Sequence, residues 1–128
     1  MSETLVDSSI VIDYLRGRRV AQGFLDGLRV RDELATHVVV VAEVLAGARN
    51  LQELIEIDRA VKIFRVVPIS AEDSIASLEL YKRHRLVDGV GWLDCLMAAT
   101  CLRESLPIAT LNDRHFRAFD GLRVMRPY

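Results

Sequence analysis

The chain has 128 residues, enough for one domain with a single core and too few for a second of ordinary size. A hydrophobic fraction of 51% and a mean hydropathy of +0.19 supply ample core and exclude a disordered chain, while no apolar run approaches the roughly 20 residues that span a bilayer. The net charge of -1 excludes a protein that holds nucleic acid by bulk charge, and the start Met1-Ser2-Glu3-Thr4 lacks the basic and apolar regions of a signal peptide, so a soluble, cytoplasmic protein is expected.

In chain order, Thr4 to Asp7 reads as a short buried strand. Ser8 or Ser9 is placed to cap a helix running through Ile10, Val11, Tyr14 and Leu15 to Gly17. A second helix carries Phe24, Leu25 and Leu28, and Ala35 to Val38 follows as a second strand. The valines that come next favour strand, whereas Glu43, Leu45 and Ala46 before Gly47 favour helix; the change is expected near Val39. Asn50-Leu51-Gln52-Glu53 has the spacing of a capping box, with Leu51, Leu54, Ile55 and Val61 as the apolar stripe of its helix.

Phe64 to Ile69 is a third strand, and Pro68 marks its end or an edge position. Ser70 to Asp73 caps a helix through Ile75, Leu78 and Tyr81, and Asp88-Gly89-Val90-Gly91 is a turn. Trp92 to Glu104 is apolar on nearly every side and should be the most buried helix. Pro107 to Thr110 gives a fourth strand and Leu122 to Met125 a fifth. Short apolar strands alternating with helices predict an α/β sandwich whose parallel sheet is covered on both faces. Ligands of such folds bind beyond the carboxyl ends of the strands, where Asp7 stands. Cys95 and Cys101, six apart on one helix, read as small core thiols with no metal or disulfide partner.

Three carboxylates sit alone in apolar runs: Asp7 in Thr4–Ser9, Glu43 in Val38–Leu45 and Asp94 in Trp92–Ala99. Burying an ionised carboxylate costs several kcal/mol unless a cation pairs with it. No Lys, Arg or His stands in those runs. Gathering all three around a hard divalent cation resolves the cost, because carboxylate oxygens are its preferred ligands. For Asp7 a simple cap is an equal reading; Asp94, opening a helix, also suits the helix dipole. The neighbours of Glu43 three and four positions away are all apolar or glycine, which argues against a solvent-facing position. A fourth candidate stretch, Thr110 to Phe116, follows the fourth strand and is otherwise a polar turn. Asp13, Asp26, Asp58, Asp73, Asp88 and Asp120 have ordinary cap, turn or surface readings. Basic runs at Arg16–Arg19, Arg29–Arg31 and Lys82–Arg85 are each solvated helix ends or together a cationic rim around the acids.

Asp7-Ser8-Ser9 after a first strand, Ala42-Glu43-Val44-Leu45-Ala46-Gly47, Asp94-Cys95-Leu96-Met97-Ala98-Ala99-Thr100 and Thr110-Leu111-Asn112-Asp113-Arg114-His115-Phe116 together resemble the successive motifs of a PIN-domain ribonuclease, and within that family the VapC toxins of toxin–antitoxin pairs. The resemblance runs from the first strand to Phe116. It implies a single PIN domain over 1–128: a three-layer α/β/α sandwich with a central parallel sheet of four or five short strands. It implies a metal-dependent endoribonuclease holding Mg²⁺, with Mn²⁺ as substitute, at Asp7, Glu43 and Asp94. Asp113 or Asn112 completes the site, with Ser9 and Thr110 as hydroxyls that orient the carboxylates. The same resemblance implies an RNA substrate, a VapB-type antitoxin and a homodimer.

Other classes fit less well. A phosphoacceptor receiver domain needs a lysine after its last strand, and Leu106 to Tyr128 has none. An aspartyl phosphatase needs an acid two residues after the first aspartate, where Ser9 stands. A PIN domain without catalysis, serving as a protein- or RNA-binding module, differs from the nuclease only in activity.

Overall fold

The computed structural model describes residues 3–128; Met1 and Ser2, part of the N-terminal stretch read above, lie outside them. Five parallel strands form one sheet in the order β3-β2-β1-β4-β5: β1 Thr4–Val6, β2 Leu34–His37, β3 Arg65–Val67, β4 Ile108–Ala109 and β5 Val124–Met125. Helices α1 (Ser8–Leu15) and α2 (Arg19–Val30) link β1 to β2, and α3 (Val38–Ala46) and α4 (Leu51–Ala60) link β2 to β3. The chain then crosses back over β1 through α5 (Ala71–His84) and α6 (Trp92–Glu104) to β4, and the one-turn α7 (Asp113–Phe116) leads to β5. Parallel crossovers are right-handed as a rule, so winding outward from β1 in both directions puts helices on both faces of the sheet. Among the described residues no helix is long and apolar enough to cross a membrane.

The winding reverses between β1 and β4. At such a switch point the two outgoing chains part and leave a crevice beyond the strand ends. Register aligns Val6 with Ala109, so the next residues, Asp7 and Thr110, face each other across that crevice. The sheet itself is almost wholly apolar: Leu5, Val6, Ala35, Val67, Ile108 and Ala109 are completely buried. Thr36, buried in β2, satisfies its hydroxyl by donating to the Val6 carbonyl at 2.7 Å.

Most element boundaries match the pattern reading within one or two residues. The strand-to-helix change falls between His37 and Val38. β3 is an edge strand that ends before Pro68, and α6 carries seven buried residues in a row, Cys95 to Cys101. Both cysteines are free core thiols, with burial pushing Cys95 up to about 11 and Cys101 up to about 12. Two readings need correction. The Asn50–Glu53 box does cap α4, Asn50 Oδ1 accepting from Glu53 N at 2.9 Å, yet α4 buries no residue and leaves Leu51 72% exposed, with Leu54 and Ile55 also outside. Asp73 is more than a cap: besides its reciprocal bonds with Ser70 it is 1% exposed and holds Arg103 at 2.7 Å and Thr100 at 2.9 Å.

That aspartate ends a buried polar relay. His37 is fully buried; its Nδ1 accepts from Val39 N–H at 3.0 Å, which places the ring proton on Nε2, and Nε2 donates to Thr100 Oγ1 at 2.9 Å. The threonine hydroxyl donates on to Asp73, itself paired with Arg103. The chain of bonds ties the start of α3 to α6 and α5. Burial holds the His37 pKa down at about 4, against the raising effect of Asp73 and with the help of Arg103. A histidine that titrates lower in the folded state than unfolded favours unfolding once protons bind. Its full contribution is therefore present above the unfolded value of 6.5 and is lost as pH falls from there toward 4. Wild-type protein should lose on the order of 3 kcal/mol across that window through this group. Urea midpoints at pH 7 and pH 4.5 measure it, and His37→Gln should show a shallower pH slope from a lower starting stability.

Candidate metal centre

The turn that follows β1 aims Asp7 into the crevice. Asp7 is the N-cap residue of α1, yet its carboxylate bonds no backbone amide of that helix. Instead Oδ2 accepts from Thr110 Oγ1 at 2.6 Å and Ser9 Oγ at 3.2 Å, and Oδ1 from Ser8 Oγ at 3.5 Å. Neither serine caps α1 by its side chain, contrary to expectation, because both hydroxyls turn to the carboxylate. Two of these donors are themselves fixed by backbone: Leu111 N donates to Ser9 Oγ at 3.0 Å and Asn112 N to Thr110 Oγ1 at 2.9 Å. Asp7 is 5% exposed and no cation contacts it among the described residues.

Asp94, in the first turn of α6, has a side chain 23% exposed. Burial first, and then the charge of Asp7, raise its pKa above the usual carboxylate range, against the lowering effects of His115 and of a backbone bond at Gly91. Glu43 projects from the exposed side of α3, so the expectation that it is shielded from solvent is corrected. Its helix buries Val39, Val40 and Val44, and a 3.6-residue period turns position 43 outward to the rim of a cleft of about 500 Å³ between α1, α3 and α4. Its pKa is nonetheless raised, by partial burial and by the negative charges of Asp7 and Asp94. The three sequence-predicted acids are therefore close enough for their charges to be felt.

Asp113 stands apart from them. Its carboxylate is held by Arg117 at 3.2 Å and Arg126 at 3.3 Å; although burial works upward, these bonds bring its pKa below the usual range. Asn112 reaches the centre through a neighbour: its Nδ2 lies 3.0 Å from His115 Nδ1, which is 3.6 Å from Asp94 Oδ2. His115 was not singled out in the sequence, where the stretch reads as a polar turn. Recognising the one-turn helix at 113–116 shows the signal, since Asn112 and His115 are three apart and share a face.

Of the basic runs, Arg29–Arg31 ends α2 just before β2, at the amino-terminal edge of the sheet and away from the acids. Arg16 lines the cleft beside Glu43, and Lys82–Arg85 closes α5 on the way to α6. Among the described residues no three His, Cys, Asp or Glu side chains converge tightly enough, as they stand, to enclose an ion. The donor set still fits a hard divalent cation: three carboxylates, of which Glu43 and Asp94 are raised by burial and then by neighbouring acid charge, with one half-exposed histidine as the nearest base.

Comparison with known proteins gives the arrangement its relatives. A PIN domain family model matches residues 4–122. The chain belongs to the PIN-domain family. It is 35% identical over 120 residues to ribonuclease VapC10 of Mycobacterium tuberculosis, covering 93% of this chain and 90% of that one. A toxin–antitoxin complex from Klebsiella pneumoniae contains a chain of TM-score 0.79 and 25% identity that matches 98% of each chain. The DNA-bound VapBC of Salmonella typhimurium aligns over the whole of both chains with TM-score 0.85, a likeness of fold at 16% identity. The PIN-domain sheet accounts for the order of the motifs: each acid leaves a different segment, and the switch point of this fold draws those segments together.

Acids whose pKa is raised in the folded protein destabilise it at neutral pH, where they are charged. In chelator, Asp94→Asn should therefore melt a few degrees above wild type. Adding Mn²⁺ should raise the melting temperature of wild type and close or reverse the gap, since binding to the native state alone stabilises it. Differential scanning fluorimetry of both proteins with and without Mn²⁺ checks each half.

Proposed function

We propose that this chain is an endoribonuclease that serves as the toxin of a toxin–antitoxin pair in the cytoplasm, cutting RNA phosphodiesters with water activated at a divalent metal, Mg²⁺ or Mn²⁺. The observation that carries the reading is the trio Asp7, Glu43 and Asp94 at the switch point of a PIN domain, in a chain 35% identical to a ribonuclease VapC. Asp7, Glu43 and Asp94 would hold the ion. Bound there, a divalent metal lowers the pKa of water and draws charge from the phosphoryl oxygens.

The residues around it have separate tasks. Ser9 and Thr110 donate to Asp7, which leaves its remaining lone pairs directed into the crevice. Asp113 or Asn112 positions the attacking water. The bond from Asn112 Nδ2 to His115 Nδ1, a nitrogen 3.6 Å from Asp94 Oδ2, supports Asn112, whereas Asp113 is engaged by two guanidinium groups. Hydrolysis leaves a 5′-phosphate on the product.

A VapB-type antitoxin is the proposed partner, supported by the toxin–antitoxin complexes among the structural relatives and by apolar surface left open on α4 at Leu51, Leu54 and Ile55 beside the cleft that contains Glu43. A homodimer is proposed on the same grounds of uncovered apolar surface, at Ile75 and Leu78 of α5.

Purified protein incubated with total cellular RNA should yield discrete fragments with Mg²⁺ or Mn²⁺ and none with chelator. Asp94→Asn should lose more than about 100-fold in rate, and Thr110→Val about 10- to 100-fold, the range for partners that orient a metal ligand. Asp113→Asn should lose less than Thr110→Val. Cleavage that survives in Asp94→Asn overturns the assignment; no cleavage by folded, metal-loaded wild type leaves a binding module.

A further inference from the structure

The basic run Lys82–Arg85 has no part in the centre described so far. It ends α5 and opens a loop, 85–91, that delivers Asp94 three residues later on α6. Between this loop and α7 lies a depression of about 440 Å³ lined by Val87, Asp88, Gly89, Arg114 and His115. Volumes of this order take a small ligand or one nucleotide.

Three observations describe what fits. The depression adjoins the acids, because His115, one of its walls, is 3.6 Å from Asp94. It favours an anion: Arg114, in its wall, is exposed and forms no ion pair among the described residues, while the one acid in the wall, Asp88, is engaged by His84 Nδ1 at 2.6 Å. It also offers apolar surface where a soluble loop has no packing use for it. Val87, in its wall, is 83% exposed, on a loop that is not loose, since His84 anchors it to Asp88 and stacks edge-on against Phe119 at 5.0 Å. Gly89, at φ +70°, turns the chain there, and a side chain at that point would meet nothing within 4 Å, so the floor of the depression is open.

We propose that this depression is a nucleotide subsite, holding one residue of a single-stranded RNA beside the scissile phosphodiester, with a backbone phosphate at Arg114 and the base against Val87. It rests on the nuclease reading for its substrate. A free base presents a face to apolar side chains and an edge to polar ones, which a paired base does not, so the subsite selects unpaired RNA and sets a preference at one position next to the cut.

The test uses the intact protein in Ca²⁺ and a fluorescent 15-nucleotide RNA of random sequence, with binding followed by anisotropy across a salt series. Arg114→Gln should weaken binding about fivefold to tenfold and lower the slope of log affinity against log salt by about one. Val87→Asp should weaken it by a similar factor, and Arg29→Gln, at the far edge of the sheet, should not change it. Sequencing of cleavage ends in Mn²⁺ should then show the base preference at one flanking position flattened in Val87→Asp. Wild-type affinity in both Arg114→Gln and Val87→Asp, or no binding by wild type at micromolar protein, overturns the subsite whatever the cleavage assay gives. Binding that depends on Arg114 and Val87 without cleavage by wild type keeps the subsite and removes the nuclease reading.

Discussion

The constraint on which this molecule depends is a carboxylate, Asp7, kept nearly out of water with neutral partners only. Three hydroxyls, from Ser8, Ser9 and Thr110, supply hydrogen bonds without cancelling the charge. A buried arginine in their place would satisfy Asp7 and disable it. Burial makes Asp94 and Glu43 harder to ionise, and the uncancelled charge of Asp7 adds to the effect at both, joined at Glu43 by that of Asp94. The fold supplies the energy that holds them together: an apolar sheet and α6, whose buried run from Cys95 to Cys101 fixes the helix that presents Asp94.

Elsewhere the same protein neutralises buried charge completely. Asp73, as deeply buried as any residue of the core, has Arg103, Thr100 and the amide of Ser70 around it, and its carboxyl stays far below the usual range in spite of burial. The contrast between Asp73 and Asp94 separates a charge-paired acid from one proposed to hold a metal, on a single helix pairing. Where the charge is paired it ties helices together; in the trio proposed to hold a metal it is left exposed to its own kind.

Much of this was legible in the sequence, for reasons that differ by residue. Asp7 and Asp94 stood out because each interrupts an apolar run, a pattern that burial and periodicity make meaningful without any alignment. Glu43 stood out in the same way, but the valines around it pointed to burial, and only the phase of α3 shows that it faces the cleft. His115 was hidden because a four-residue helix leaves no periodic trace, although its neighbour Asn112 was singled out. Asp73 and His37 were misjudged or passed over because their partners, Thr100 and Arg103, lie 27 to 63 positions away, a distance no local pattern spans. Exposure of the α4 leucines went unforeseen for a related reason: an apolar stripe announces a contact and does not say whether the other side belongs to the same chain.

The bond between Asp7 and Thr110 joins residues 103 positions apart, one just after the first strand and the other just after the fourth. During synthesis the first acid leaves the ribosome early, yet the hydroxyl that orients it, the helix that brings Asp94 and the strand that closes the crevice all come from the last third of the chain. A growing polypeptide, or one cut short by early termination, thus carries the acids without the centre. The order of the elements along the chain delays assembly of the proposed centre until β4 has been made.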